Sequence, residues 1–272
     1  MKNKLIIIAL IIMVFTNFLH PQKQEKVEIT ARLFPLGNFI ALKLEIAPEW
    51  HIYWENPGDT GIKTSFSWEL PDGWELSEPE FQYPSKFESD GLVSYGYEKE
   101  VLYLFRLKIP DGKVLKETLE IKVTTDWLAC KEICVPGESK AVLEVTPEIR
   151  QLLKKENSFD PVNEKFPQNG DNIGMTGLVL ENSIIIGIER KQLPDTDYSK
   201  IEFFPMEQGV FSTIVPPRIS VDDNKIIMEL ALDPMHTKIP DTINALFYNE
   251  TGWGTSGNHK AIKKSIKLTN QE

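Results

Sequence analysis

From Val27 onward, the chain is a series of short segments in which apolar and polar residues alternate or β-branched and aromatic residues concentrate. A period of two is typical of strands that bury one face. Gly, Pro, Asp and Asn mark the turns between the segments, as in NPGDTG, LPDGW and IPDGK. The first segments are VEITARLF, FIALKLEIA, HIYWEN, TSFSWEL, VLYLFRLKIP, TLEIKVTTDWL and KAVLEVTP. This pattern predicts an all-β fold, an immunoglobulin-like antiparallel β-sandwich.

The pattern changes near Pro147. PEIRQLLKK places apolar residues at helical spacing behind a proline suited to a first turn, which predicts a short helix. The Pro-, Asn- and Asp-rich stretch SFDPVNEKFPQNGDN is typical of a linker, and further β segments follow it. We therefore predict a β-sandwich over residues 24–147, a helix and linker over 148–171, and a second β-rich domain over 172–270.

The first 19 residues have the pattern of a targeting segment. Lys2 and Lys4 form a basic start, and an apolar run from Leu5 to Phe15 follows. This run is shorter than the ~20 apolar residues of a membrane span and is typical of a signal peptide. Because FTNFLHPQ has no small-x-small cleavage pattern, an uncleaved N-terminal anchor is the alternative. In either case we expect an exported protein.

Composition narrows the classes of partner. The formal net charge is −10 and no block of basic residues occurs, which argues against nucleic acid or an anionic membrane surface as a partner. Hydrophobic residues make up 41% and aromatic residues 10% of the chain, which indicates a packed core rather than disorder.

The chain has two cysteines, Cys130 and Cys134. In an exported protein such a pair can form a lasting disulfide that staples the fold. Closing a five-residue loop stabilises a fold by about 2 kcal/mol, near the low end for disulfides. A short-range pair also suits thiol–disulfide exchange, in which a second thiol must reach a mixed disulfide quickly. Spacing alone leaves both roles open.

The pair lies within DWLACKEICVP, residues 126–136. A C-x-x-x-C pair can close across one helical turn or across a tight β-turn. The strand patterns on both sides favour a hairpin, which would place the pair in a strand-end loop that a partner can reach. Lys131 would favour a thiolate, whereas Asp126 and Glu132 would oppose one, and the sequence does not decide between these effects.

A second unusual stretch is WHIYWENPGDTG at residues 50–61, followed by WELPDGW, YPSKF and SYGY. Aromatic side chains dominate burial in small sandwiches, so we expect most of these rings in the core. The functional alternative is an aromatic loop that shields the cysteine pair from solvent and oxidants. NPGDTG predicts tight turns in which Gly58 and Gly61 have positive φ.

In this order, WHIYWENPGDTG, WELPDGW, YPSKF, SYGY and WLACKEICVP resemble the amino-terminal periplasmic domain of the DsbD/ScsB family of transmembrane disulfide reductases. FFPMEQGVFSTIVPP resembles a segment of the ScsB-like branch, so the resemblance covers roughly residues 27–268. It implies an immunoglobulin-like domain whose cysteine pair, here Cys130 and Cys134, accepts electrons from a membrane-embedded partner and reduces exported thioredoxin-like proteins. Tyr95 and Tyr97 match a recurrent aromatic motif of the family.

The family's eight-helix electron-conducting domain and C-terminal thioredoxin domain have no counterpart in this sequence, so we expect a separate membrane-embedded disulfide reductase to donate the electrons. The prediction is a periplasmic thiol–disulfide interchange protein, an oxidoreductase component that depends on a partner chain and needs no cofactor. Its expected acceptors are exported thioredoxin-like or disulfide-bonded proteins. The predicted catalytic residues are Cys130 and Cys134, and the candidate surroundings of the pair are Tyr95, Tyr97, Asp126, Trp127 and Lys131.

Two alternatives remain at this point. In the first, the fold is a docking module for a redox or cytochrome-maturation partner, and the disulfide only shapes a loop. In the second, the two thiolates hold Cu(I), a soft ion, with a sulfur from Met175 or Met206. Zinc would need two further ligands at recognisable spacing, and the scattered histidines do not provide them.

Overall fold

The computed structural model describes residues 27–110, 117–154, 165–191, 193–253 and 259–270. The predicted targeting segment at residues 1–19 and most of the predicted linker, residues 155–164, lie outside the described residues. Within the described ranges, the chain is built almost wholly of β-strands.

The first half of the chain forms two antiparallel sheets. Its strands are β1 (Ile29–Leu36), β2 (Phe39–Ile46), β3 (His51–Gly58), β4 (Ser65–Glu69), β5 (Glu75–Leu76), β6 (Glu80–Phe81), β7 (Ser85–Ser89), β8 (Leu92–Glu98), β9 (Glu100–Lys108), β10 (Leu119–Cys130) and β11 (Cys134–Val145). The first sheet has the order β1-β2-β9-β5, with β6 also paired to β9. The second has the order β11-β10-β3-β8-β7, with β4 also paired to β10.

Alternation along the strands produces the core between these two sheets. In β2, Ile40, Leu42 and Leu44 are fully buried, and in β3 Ile52 and Trp54 are buried as well. Because successive side chains in a strand point to opposite faces, residues two apart share the inner face. Burying an aliphatic side chain of this size contributes about 2 kcal/mol relative to leaving it exposed. The sequence pattern therefore accounts directly for the sandwich.

A short helix, α1 (Pro147–Leu153), follows β11 where the sequence predicts one. The Thr146 side chain caps it by accepting a hydrogen bond from the backbone N–H of Ile149 at 3.3 Å. Pro147 fits the first turn because its missing N–H has no partner there in any helix. Leu153 is buried against the sandwich core, so the helix closes one end of the first half.

The second half forms one larger sheet. Its strands are β12 (Gln168–Asn169), β13 (Met175–Val179), β14 (Ser183–Glu189), β15 (Glu202–Pro205), β16 (Arg218–Val221), β17 (Lys225–Ala231), β18 (Thr242–Tyr248) and β19 (Ala261–Asn270). The order is β15-β18-β19-β13-β14-β17-β16, with β12 also paired to β19. Strand β19 runs parallel to β12 and β13, whereas the other neighbours are antiparallel. Ile184, Ile186 and Ile188 of β14 line its own core.

The two halves contact each other through aromatic rings. Phe204 of β15 lies edge-on to Trp54 and to Tyr95, with ring centroids 6.3 and 5.4 Å apart. Phe204 and Leu246 belong to the same buried cluster as the sandwich core. The apolar interior of the first half therefore continues into the second.

The prediction of an all-β, immunoglobulin-like first half followed by a second β-rich part is confirmed. The boundaries assigned to the two domains stay a prediction. The SYGY motif, which the sequence pattern did not separate as a strand, is the centre of β8. Among the described residues, no helix combines the length and the apolar character that crossing a membrane requires.

Candidate functional site

The cysteine pair closes the tip of a long hairpin. Strands β10 and β11 are 12 residues each, and Cys130 faces Cys134 at the last position of their register. The two cysteines form a disulfide with their Cα atoms 4.1 Å apart. In the turn, the backbone N–H of Lys131 donates to the carbonyl of Ile133 at 3.2 Å. The hairpin predicted from the flanking strand patterns is confirmed.

The two sulfur-bearing residues differ in exposure. Cys130 is only 4% exposed, whereas Cys134 is exposed. The sheet order explains this difference, because β10 lies between β11 and β3, and Cys130 pairs with His51 of β3. Strand β11 is at the edge of the sheet, so Cys134 has no further strand beside it. A macromolecule approaching the hairpin tip therefore meets Cys134.

A buried tyrosine hydroxyl contacts both sulfurs. The hydroxyl of Tyr53 donates to Sγ of Cys130 at 2.9 Å and lies 3.8 Å from Sγ of Cys134. Burial raises the pKa of Tyr53, and a hydrogen bond with the Thr60 side chain opposes this rise. The phenol is therefore protonated at neutral pH and able to donate. Disulfide sulfur is a weak acceptor, whereas a thiolate at the same place would accept a much stronger bond.

The NPGDTG loop holds the ring of Tyr53. Gly61 packs so closely on this ring that an added Cβ would lie 2.2 Å from its Cε1 atom. Gly61 also has a φ of 99°, which a side chain would strain. Gly58 has a φ of 84°, so the positive φ values predicted for both glycines are confirmed. A glycine is required at residue 61 to let the loop lie flat on the tyrosine.

A histidine lies next to the pair on the neighbouring strand. The His51 ring stacks on Phe87, with centroids 4.5 Å apart and planes 13° apart, and it meets Tyr53 edge-on. Partial burial lowers the pKa of His51 below its usual 6.5, and the charge of Glu98 opposes this shift. The imidazole is therefore mainly neutral at pH 7, and it lines the protein side of the site with an uncharged ring.

The predicted thiolate-favouring cation has an acidic partner. The ammonium of Lys131 lies 2.8 Å from Oε2 of Glu49, which has a positive φ of 69°. This hydrogen bond lowers the pKa of Glu49. Glu132 is exposed beside it. Opposite charges therefore offset one another at the turn.

Asp126 and Trp127 lie further along β10. Asp126 is exposed and pairs with Glu138, about 13 Å along the strand from Cys130. Trp127 is buried over Gly137, and its indole N–H donates to Oγ of Ser139 at 2.9 Å. These contacts hold the hairpin together, and a role for either residue beside the pair stays a prediction.

Tyr95 and Tyr97 lie in the core. Tyr95 meets Trp54 edge-on at 6.4 Å, and burial raises its pKa to about 12. Tyr97 donates its hydroxyl proton to the carbonyl of Gln82 at 2.7 Å, and burial raises its pKa well above the usual value. Tyr97 is opposite Ile52, so it lies one residue from the His51 position, but its ring faces the sandwich interior with Tyr103. Their part in the chemistry also stays a prediction.

Sequence reasoning did not single out Tyr53, His51 or Phe87 as site residues. Tyr53 belongs to the aromatic stretch for which shielding of the cysteines is the alternative to a core position, and that stretch is the available signal. The pairing of β3 with β10, which brings Tyr53 to Cys130, is not encoded in any local pattern. Across the described ranges, no group of three or more His, Cys, Asp and Glu side chains is placed to hold a metal ion.

Comparisons with known proteins give one family match and two similar solved domains. Residues 17–146 match the family model described as thiol:disulfide interchange protein DsbD, N-terminal. The N-terminal periplasmic domain of ScsB from Proteus mirabilis matches with 16% identity and a TM-score of 0.60, over 92% of this chain and 97% of that one. The reduced N-terminal domain of DsbD from Neisseria meningitidis matches with 16% identity and a TM-score of 0.30, over 48% of this chain and 92% of that one. A comparison with curated protein sequences found no match.

Proposed function

We propose that Cys130 and Cys134 pass reducing equivalents to or from partner proteins, because residues 17–146 of this chain match the model of DsbD N-terminal domains, as the sequence motifs predicted. The family match supports a thiol–disulfide interchange module. The proposal adds the two cysteines as the reacting groups and gives each a separate role. The observation that carries it is the difference between exposed Cys134 and buried Cys130.

Cys134 is the sulfur that a partner attacks. Thiolate attack on a disulfide requires access to one sulfur along the S–S axis, with the other sulfur leaving. Sγ of Cys134 belongs to an exposed residue on an edge strand, whereas Cys130 is enclosed between two strands. Attack at Cys134 therefore expels Cys130 into the protein rather than into solvent.

Tyr53 stabilises the expelled sulfur. A thiolate leaves faster when its pKa is lower, and a hydrogen bond to the charged form lowers that pKa. The Tyr53 hydroxyl is already 2.9 Å from Sγ of Cys130 and needs no rearrangement to donate to a developing thiolate. A hydrogen bond to a charged group contributes about 1.5–3 kcal/mol, which is enough to change the rate of exchange.

The complete cycle moves two electrons and two protons. A donor thiolate forms a bond to Sγ of Cys134 as the Cys130–Cys134 bond breaks and Cys130 leaves as a thiolate. The donor's second thiolate then attacks the donor sulfur of the mixed disulfide, which releases Cys134 and oxidises the donor. Protons from solvent complete the dithiol. Cys134 next attacks an acceptor disulfide, and Cys130 displaces the reduced acceptor by attacking Sγ of Cys134.

Two exposed apolar side chains, one in the turn that the disulfide closes and one next to Gly61, suit a protein partner. Ile133 in the turn is 56% exposed, and Ile62, next to the glycine that packs on Tyr53, is 65% exposed. Exposed aliphatic residues around a reactive group are typical of docking surfaces. We assign the electron donor to a membrane-embedded disulfide reductase, the acceptors to exported thioredoxin-like or disulfide-bonded proteins, and the location to the periplasm.

Trapping tests the assigned roles of the cysteines. In Cys130→Ala protein, Cys134 can form a mixed disulfide that no internal thiol resolves, so adducts should accumulate in the host and mass spectrometry should identify the partner. In Cys134→Ala protein, buried Cys130 should give far less adduct. The opposite pattern would reverse the two roles.

Redox equilibrium tests the function itself. A reduction potential above about −300 mV would fit exchange, whereas a value well below it would mark a structural bond. Full cellular activity of a Cys130→Ser/Cys134→Ser variant would favour the docking module, and stoichiometric, cysteine-dependent Cu(I) binding by the reduced protein would favour copper capture.

A further inference from the structure

Strand β3 contains a bulge directly after Tyr53. Tyr53 is opposite Gly96 of β8, but Gly58 is opposite Ser94, so four residues of β3 stand against one of β8. We call residues 54–61 the bulge loop. The bulge loop leaves the sheet after Tyr53 and comes back onto the same residue, because Gly61 packs on the Tyr53 ring.

A buried asparagine fastens the bulge loop to the second half of the chain. Asn56 is 4% exposed, and its Nδ2 donates to the carbonyl of Pro205 at 2.8 Å. Its Oδ1 accepts from the backbone N–H of Gly58 at 3.0 Å. One side chain therefore both shapes the bulge loop and links it to β15. Buried hydrogen bonds of this kind are costly to break because the separated donor and acceptor stay buried, where no water replaces the lost partner.

A second attachment lies at the tip of the bulge loop. Oγ of Thr213 lies 2.8 and 2.7 Å from the two carboxylate oxygens of Asp59. The Gln208 side-chain amide donates to the carbonyl of Gly58 at 3.2 Å. Asp59 is also tied to its own sandwich, because its Oδ2 accepts from the backbone N–H of Val93 at 2.8 Å.

The segment that supplies these contacts, residues 205–213, is itself anchored in the second half. We call it the clamp loop. Oε1 of Glu207 accepts from the backbone and side-chain nitrogens of Asn244 at 2.8 and 2.9 Å. Phe211 is buried, and the backbone N–H of Ser212 donates to the carbonyl of Ala231 at 2.9 Å. These hydrogen bonds and the burial of Phe211 therefore fix the clamp loop to the second half of the chain.

We propose that the second half of the chain is a positioning scaffold for the redox pair, in which Asn56 and Thr213 hold the bulge loop and the bulge loop holds the Tyr53 hydroxyl at Cys130. The hydrogen bonds of Asn56 and Thr213 are with the bulge loop and the clamp loop and not with a sulfur, so both residues act through Tyr53 as positioning residues. Hydrogen bonds weaken steeply as distance and angle depart from their optimum, so a loosened bulge loop would weaken the bond to Cys130. This inference rests on the proposed function, which gives Tyr53 its role toward the Cys130 thiolate.

The test measures the Cys130 thiol directly and does not depend on exchange. In reduced, full-length protein carrying Cys134→Ala, the pH dependence of alkylation by iodoacetamide reports the ionisation of Cys130. Tyr53→Phe should slow alkylation at pH 7 about tenfold, and Thr213→Val about threefold, by moving the midpoint of the profile upward. Thr213→Ser, which keeps the hydroxyl, should restore the midpoint. Thr242→Val, at an exposed threonine of the same half, is the matched control.

A double-mutant cycle separates positioning from general destabilisation. If Thr213 acts through Tyr53, Thr213→Val should cause no further change in protein that already carries Tyr53→Phe. Asn56→Asp, which places a carboxylate against the Pro205 carbonyl, should shift the midpoint more than Thr213→Val does. In protein that already carries Tyr53→Phe, it too should cause no further shift. An unchanged midpoint in Thr213→Val and Asn56→Asp, or equal shifts with and without Tyr53, would overturn the inference. Failure of the proposed function would give a different result. The wild-type disulfide would resist reduction by dithiothreitol, while the coupling of Thr213 and Asn56 to Tyr53 in the double-mutant cycle would persist.

Discussion

The hydroxyl of Tyr53 donates a hydrogen bond to Sγ of Cys130 across 2.9 Å, although 77 positions separate the two residues in the chain. The bond exists because β3 lies beside β10 and because the NPGDTG loop packs against the tyrosine ring. The Tyr53 hydroxyl is therefore a close donor to the buried sulfur of Cys130, whereas the exposed sulfur of Cys134 lies 3.8 Å from this hydroxyl. The chemical inequality of the two cysteines follows from this geometry.

Removing this hydroxyl should slow exchange. Tyr53→Phe keeps the ring on Gly61 but deletes the donor, so the Cys130 thiolate loses about 1.5–3 kcal/mol of stabilisation, part of which is present in the transition state. We expect reduction by dithiothreitol at pH 7 to slow about tenfold, measured by stopped-flow tryptophan fluorescence or by quenched alkylation. Tyr83→Phe, at a tyrosine whose ring packs on Tyr248, is the control. Equal rates in wild type and Tyr53→Phe would show that the hydroxyl has no part in the reaction.

A charge in the turn should weaken protein partners selectively. Ile133→Asp removes a 56% exposed aliphatic side chain and adds a negative charge next to Cys134. We expect kcat/KM with a thioredoxin-like partner to fall at least fivefold, because apolar contact area is lost, and reduction by dithiothreitol to change less. Val142→Asp makes the same change at a 53% exposed valine further along β11 and should have little effect. Parallel losses with both reductants would place the effect on the disulfide and not on docking.

Stability should depend on the protonation of His51. Because burial lowers the pKa of His51 in the folded protein, the unfolded chain takes up a proton at this residue first as the pH falls. The free energy of unfolding should therefore decrease as pH falls through about 6.5 and stop decreasing, for this group, below the folded-state pKa. In His51→Phe, which keeps a ring stacked on Phe87, the difference in urea stability between pH 7.5 and 5.5 should be smaller than in wild type. His236→Gln is the control, and an unchanged difference in His51→Phe would contradict the assignment.

A side chain at residue 137 should destabilise the hairpin. An added Cβ on Gly137 would lie 2.2 Å from the Trp127 ring, which is also held by Ser139. We expect Gly137→Ala to lower the free energy of unfolding by about 2 kcal/mol because the buried indole must move. Urea denaturation measures this loss, and Glu138→Ala at the exposed neighbouring residue should change stability by less than about 0.5 kcal/mol. A neutral Gly137→Ala variant would mean that Trp127 can shift without loss of packing.

The local features of this protein could be predicted from sequence because they depend on neighbours in the chain. Alternation along LEIKVTTDWLAC and its return strand indicated a hairpin, and a capping threonine before Pro147 accompanies the predicted helix. The site's asymmetry could not be predicted. It depends on β11 being an edge strand and on β3 lying against the tip of β10, and both are consequences of non-local pairing.

The aromatic residues show the same limit. Composition placed Trp54, Tyr53 and Tyr95 together as core or shield, since all three are large and apolar. The structure divides them by strand face: Trp54 and Tyr95 point toward Phe204 of the second half, and Tyr53 points toward the sulfurs. A single register position decides between these faces, because successive residues of β3 alternate sides.

The pairing of β10 with β11 also has a thermodynamic consequence. The disulfide closes only a five-residue loop at the tip of two 12-residue strands, so it removes little chain freedom from the unfolded state. Folding and oxidation are linked in a closed thermodynamic cycle. The free energy by which the disulfide stabilises the fold therefore equals the free energy by which the fold stabilises the disulfide. If the melting temperatures of oxidised and reduced protein differ by only a few degrees, the stability of this disulfide is close to that of the same disulfide in an unfolded peptide. The disulfide can then be reduced and oxidised repeatedly while the domain stays folded.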